Sequence, residues 1–241
     1  MAHGSPRFDT TLWSQVLLAA REPDSEVGRE ALSALCSKYW YPVYAFIRRR
    51  GESPTDAQDL TQGFFEHILS SGFLTRVDRS RGKFRSFLLG AVKNHLSDEK
   101  DRRTTQRRGG GRRDIHMDLL AAEQWLLVEP TAANDSTKAF DRSWATAVIN
   151  GAMAELESEQ ESAGKARAFA ALKEFLQRTA SPGEYEAMAP DLKMTKGAIA
   201  ASVHRLNERF GQIVRKSVRE TIADPQLADE ELRFLFSALQ N

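Results

Sequence analysis

Apolar residues recur at helical spacing along nearly the whole chain, and no run of five or more alternates as a half-buried strand would. The pattern predicts an all-α protein. An opening helix over Thr11 to Arg21 carries Leu12, Val16 and Leu17. From Arg29 to Arg50, Leu32, Leu35, Tyr39, Val43, Phe46 and Ile47 mark a buried face, with Pro42 expected to kink it. Arg48 to Arg50 suit the negative end of the helix dipole, and Gly51 ends the helix. In DAQDLTQGFF and the residues after it, a turn of about 100° per residue puts Ala57, Leu60, Phe64 and Ile68 on one stripe. Gln58, Asp59, Gln62 and Glu66 fall on the other. Ser53 can cap this helix, Pro54 suits its first position, and Asp56 stands three residues after the cap. A third helix begins near Phe84, with Phe87, Leu88, Ala91, Val92 and Leu96 on its apolar side. Gly109 to Gly111 end it.

Beyond Arg112 the periodicity fades, Pro130 intervenes, and small polar residues dominate, which reads as a flexible linker over 114–138. The expected organisation is an N-terminal helical extension (1–25), a first helical domain (26–113), the linker, a second helical domain (139–222) and a C-terminal extension (223–241). The second domain shows helical patterns over Phe140 to Glu157 and Gly164 to Thr179, then a closing pair. Ser181 is expected to cap a short helix running to about Leu192, with Pro182 in its first turn and Glu184 following. Lys193 and Met194 connect it to a longer helix capped by Thr195, with Ile199, Val203, Leu206 and Phe210 as its core stripe. Short helix, brief turn, longer helix is helix-turn-helix spacing. The last helix, Asp229 to Leu239, is acidic and then apolar, and is expected to pack on the second domain.

Charge changes this picture. The net charge of the whole chain is +1, yet residues 76–113 hold thirteen Lys or Arg against four acids, a local +9 that leaves −8 for the remainder. A basic block in an acidic chain fits a nucleic-acid contact, although basic runs also serve as solvated faces. At 241 residues and 41% hydrophobic content the chain can bury substantial cores. A single cysteine, Cys36, permits no intrachain disulfide, and no apolar run approaches the ~18 residues of a membrane span. These features point to a cytoplasmic protein without a membrane partner. His3, His67, His95, His116 and His204 have no metal-ligand spacing, and Gly109 to Gly111 lack the Lys-Ser/Thr of a phosphate-binding loop. No metal, cofactor or catalytic residue is expected, so the chain reads as a binding protein and not an enzyme.

Several segments, in order, resemble the bacterial RNA polymerase sigma factors of the sigma-70 family, extracytoplasmic-function (ECF) type. The resemblance covers about Arg29 to Arg219. SKYWYPVYAFIRRR is similar to that family's first aromatic helix. DAQDLTQGFF resembles its polymerase-binding helix, roughly DAEDLVQETF. FRSFLLGAVKNHLSDEKDRR resembles FRAWLYRIARNLLIDHLRRR, and MTKGAIAASVHRLNERF resembles the helix-turn-helix ending MSEGAVKVAVHRLRRRY. The resemblance implies two small helical domains, a sigma region 2 bundle and a sigma region 4 helix-turn-helix. It also implies binding to core RNA polymerase and to promoter DNA at the minus-10 and minus-35 elements, directing transcription initiation.

By family position, Asp59 and Gln62 contact the polymerase clamp, with Asp56, Gln58 and Glu66 on the same face. Lys93 and Asn94 match the family's Arg-Asn pair at the minus-10 element. Arg102, Arg103, Arg107 and Arg108 hold phosphates there. Phe87 either stacks on an unpaired base or belongs to the core, while Phe84 is assigned to the core. Thr195, Lys196, Ala198, Ser202, Arg205 and Arg209 are the major-groove candidates. Lys193 replaces the glycine usual in the turn, which argues against a left-handed backbone there. Gly63 and Gln58 replace acids, leaving the docking face acid-poor. Thr61 is a candidate phosphosite for a Ser/Thr kinase, since phosphate adds about −1.5 to −2 charges, but it lies inside the apolar arc, where burial is expected. An anti-sigma factor is a further candidate partner. The competing functions are a helix-turn-helix regulator that never engages polymerase and a helical interaction protein without DNA.

Overall fold

The structure, a computed structural model, describes residues 25–70, 83–105, 122–124, 126, 135–222 and 224–240. The side chains of 27–29, 31, 32, 34, 35, 37, 69, 70 and 102–105 lie outside the description, as do the helix expected at Thr11 to Arg21 and the glycines 109–111. Among the described residues every regular element is helical, and an isolated antiparallel bridge pairs Lys83 with Ile222. The residues divide into two units, 1–147 with 218–241, and 148–217. These boundaries fall inside helices, not in the expected linker.

The first unit is built on α1, Glu26–Arg48. Its stretch Tyr39 to Ile47 is buried on every side, as an interior helix must be, with Pro42 inside it. The chain turns out through Gly51 at φ +95°, a conformation that favours glycine. Helix α2, Pro54–Ser70, starts as the sequence predicts: Ser53 Oγ accepts the Asp56 N–H at 3.1 Å and donates to the Asp56 carboxylate at 2.6 Å. Helix α3, Phe84–Thr105, sets Phe84 in the core edge-on to Tyr39, ring centroids 5.1 Å apart. Its first-turn Phe84 N–H, which no helical carbonyl can reach, donates to Thr221 C=O at 3.0 Å.

Part of the segment expected as flexible linker is docked. Residues 122–124 are helical, and Glu123 holds Arg48 through Nε at 2.8 Å and Nη2 at 3.0 Å while accepting from the Tyr44 hydroxyl. The Arg48 hydrogen bond holds the Glu123 carboxyl below its ordinary range.

Helix α4, Ser136–Ser162, and helix α7, Lys196–Glu220, each cross from one unit to the other. Within the second unit lie α5, Ala166–Leu172, a 3₁₀ turn Lys173–Leu176, and α6, Glu184–Leu192. Leu156, Phe169, Leu172, Phe175, Ile199, Val203, Leu206 and Ile213 form its core. Phe210, expected in that stripe, is only half-buried.

The C-terminal helix α8, Ala228–Gln240, corrects an expectation: it belongs to the first unit, not the second. Its buried stripe is Ala228, Glu231, Leu235 and Ala238, at helical spacing. Glu231 is fully buried, and its carboxylate accepts from Arg85 Nε and, at 3.4 Å, Nη2. Arg85 also donates to Asp141 at 2.8 Å, and its guanidinium lies 3.6 Å from the Phe234 ring centroid. Arg85 belongs to the basic block by sequence, yet it is buried, with only 7% of its surface exposed.

Candidate protein and nucleic-acid interfaces

The α2 helix separates its faces as its periodicity predicts. Ala57, Leu60, Phe64, Phe65 and Ile68 are buried, whereas Asp56 is exposed and Gln58, Asp59, Gly63 and Glu66 are partly so. Gln62 departs from its expected place. It is buried, with its amide donating to Glu66 Oε1 at 3.3 Å along the helix, so its side chain runs sideways where a docking contact would need it to project. Thr61 is fully buried and donates its hydroxyl to Ala57 C=O at 2.6 Å. A kinase has no access to that oxygen in this fold, which removes Thr61 as a phosphosite here. Gly63 has room: a Cβ there would meet only His95 Nε2, at 3.9 Å.

On α3 the outward stripe is Ser86, Gly90, Lys93, Asn94 and Ser97, at helical spacing. Lys93 and Asn94 therefore stand exposed together. Phe87 is half-buried, its ring 5.9 Å from that of Phe84, so it borders the core and the surface. The side chains of Arg102 and Arg103, and all of Arg107 and Arg108, lie outside the described residues. Two cations of the basic block, Lys83 and Arg85, do not face outward as a charge count suggests. Lys83 Nζ reaches Glu230 at 2.7 Å and Glu231 at 3.1 Å. One signal for this existed in the sequence: Glu231 sits on the apolar stripe of its helix, and a carboxylate there needs a buried cation.

The helix-turn-helix forms with two local corrections. Ser181 does not cap α6 through its hydroxyl. Ser181 to Glu184 make a turn, with Pro182 second and Gly183 third at φ +85°, closed by Glu184 N–H to Ser181 C=O at 3.1 Å. The Glu184 carboxylate then accepts the Ser181 N–H at 2.8 Å and pairs with Arg178. Arg178 and Ser181 together hold that carboxyl down to about 2. Between the helices, Lys193 is left-handed at φ 52°, against expectation. Its N–H donates to Pro190 C=O at 3.2 Å and that of Met194 to Ala189 C=O at 3.1 Å, the paired bonds of a Schellman end. Those bonds hold a lysine where glycine would be unstrained.

Thr195 caps α7, accepting the Ala198 N–H at 3.2 Å. Lys196 is exposed and paired with Glu186. Ala198 and Ser202 are turned partly inward, and Ser202 Oγ accepts from exposed Arg205 at 3.1 Å. Arg209 is drawn to Glu159 at 2.8 Å. Ala200, Ala201, His204 and Glu208 are exposed beside Arg205, and none of them is among the expected contacts. His204 lies 3.5 Å from Glu208. This face has small side chains and few unpaired cations, which favours methyl and backbone contacts over long-range donors.

Reactive side chains do not mark a further site. Burial pushes the Cys36 thiol up to about 12, far from the reactive thiolate. Among the described residues no helix is long and apolar enough to cross a membrane, and no three His, Cys, Asp or Glu converge as metal ligands. No family model, curated protein or solved structure matches the chain.

Proposed function

We propose that the chain is an ECF-type sigma factor: a non-enzymatic cytoplasmic protein that binds core RNA polymerase and directs it to promoters. The observation that carries the reading is the ordered series of family-like segments, DAQDLTQGFF, FRSFLLGAVKNHLSDEKDRR and MTKGAIAASVHRLNERF, each on or entering a helix, with Asp56, Asp59 and Glu66, then Lys93 and Asn94, then Arg205 at least partly exposed. The first unit would hold the polymerase through Asp56, Asp59 and Glu66 of α2. Lys93 and Asn94, with Phe87 beside them, would meet the minus-10 element. The second unit would lay α7 in the major groove of the minus-35 element, through Arg205 and its small neighbours.

The test is transcription from selected promoter DNA with purified core polymerase, alongside copurification of the two proteins. Specific initiation that needs core, and is lost with Asp59→Lys, is expected. Failure to copurify with core would refute the reading. The complete helix-turn-helix supports a second one, a DNA-binding regulator independent of polymerase, and promoter binding without core would favour it.

A further inference from the structure

We infer that Lys83 and Arg85 form a phosphate-binding site held closed by Glu230 and Glu231 of the C-terminal helix, which stand in for nucleic-acid phosphate. The inference rests on the reading of 76–113 as a nucleic-acid contact.

Two carboxylates surround two cations. Lys83 Nζ has both glutamates within 3.1 Å, and Arg85 presents Nε and Nη2 to Glu231 as a fork. Planar, bidentate acceptance from Arg beside a Lys point charge is also how a phosphodiester is held. The pairing is a poor choice for simple docking. Glu231 is fully buried on a stripe otherwise made of Ala228, Leu235 and Ala238, where an apolar residue would pack without desolvation. The charge does make the contact exchangeable: one anion can leave only as another arrives.

The geometry also provides an approach and a pivot. Glu230 is the open edge of the site, its side chain 59% exposed while that of Lys83 is 17% exposed. Behind it the chain stays fixed, because Phe84 N–H donates to Thr221 C=O and Ile222 pairs with Lys83. Asp224, in extended conformation, then begins the 3₁₀ turn Pro225–Leu227 that leads into α8. Lifting α8 at Asp224 would uncover both cations and leave that pairing intact. Asp141 stays with Arg85 throughout and keeps the guanidinium in place.

The test compares binding of a labelled 20-nucleotide single strand by the full-length wild type, Glu230→Gln, Glu230→Gln/Glu231→Gln, and that double variant with Lys83→Gln added. Anisotropy is read from 50 to 200 mM salt. The double variant should bind on the order of tenfold more tightly at low salt, with a log–log salt slope steeper by about 0.7 for each phosphate gained. Glu230→Gln, which changes an exposed side chain and leaves the buried one alone, should move the same way by a smaller factor. Adding Lys83→Gln should reverse most of the gain. Affinity and slope unchanged in both glutamine variants, or no binding by any protein, overturn the inference. Copurification with polymerase is scored separately. A protein that binds core but shows no gain refutes the closed site alone, and a gain without core binding refutes the sigma reading alone.

Discussion

The Glu231–Arg85 contact gives a stability prediction whose size follows from burial. In Glu231→Ala, Arg85 keeps Asp141 and the Phe234 ring but loses the acceptor of Nε and Nη2, and Lys83 loses one of its two acids. Removing one partner of a buried pair leaves an uncompensated charge and costs about 3–5 kcal/mol. The deleted methylenes on the stripe with Leu235 and Ala238 add to that. Against a whole-protein stability of about 5–15 kcal/mol this is a large fraction. For a chain of this size it lowers Tm by roughly 6 °C or more, at about 2–4 °C per kcal/mol. Removing both charges is a different perturbation. In Arg85→Met/Glu231→Leu, apolar side chains of similar volume replace the pair, and Asp141, whose carboxyl burial already pushes above its ordinary range, can take up a proton. The double variant should lie within about 1 kcal/mol of wild type, so the cycle gives a coupling of several kcal/mol. Urea unfolding followed by circular dichroism measures all four proteins. A Glu231→Ala cost under about 0.5 kcal/mol, in the range of ordinary surface substitutions, would mean that α8 is not docked in solution and would refute the reasoning.

Four further outcomes follow from local geometry. Ser53→Ala removes the acceptor of the Asp56 N–H and should cost about 1 kcal/mol in thermal melts, with α2 otherwise intact. Lys193→Gly should stabilise the second unit by roughly 1 kcal/mol, because glycine carries no Cβ penalty at this left-handed position; a loss of stability would contradict the backbone described. Thr61→Glu would bury a carboxylate beside the core and should lower stability by several kcal/mol, and a melt equal to wild type would mean that this position is open after all. The Glu184 carboxyl has a folded value lowered to about 2, so its contribution is fully present above the ordinary glutamate range near about 4.3 and lost as pH falls through about 2. Carboxyl chemical shifts recorded against pH check this, and a midpoint near 4 would contradict the Arg178–Ser181 clamp.

Much of the first unit was legible because its signals are local. Ser53, Pro54 and Asp56 set the start of α2, and the spacing of Ala57, Leu60, Phe64 and Ile68 set its buried face. Lys93 and Asn94 are outward because the same periodicity turns Leu88, Ala91 and Val92 inward. What escaped the sequence depends on partners far away in it. Gln62 sits in the polar arc, yet its amide lies along Glu66, a rotamer choice that spacing does not fix. Lys193 is left-handed because the bonds to Ala189 and Pro190 outweigh a residue preference. The location of α8 required matching one buried glutamate to one arginine 146 positions away, and composition offers many such pairs.

That distance has a consequence for how the protein is made. Synthesis delivers the chain from its N-terminus at about 5–20 residues per second. The second unit, 148–217, is contiguous and is complete before residue 218 is added. The first unit is not: Thr221, which satisfies the Phe84 N–H, and Glu231, which closes on Arg85, come among the final residues. The second unit is thus fully synthesised while the first still lacks its last helix, a reversal of the usual order. A nascent chain released early would carry a finished helix-turn-helix on an open first unit.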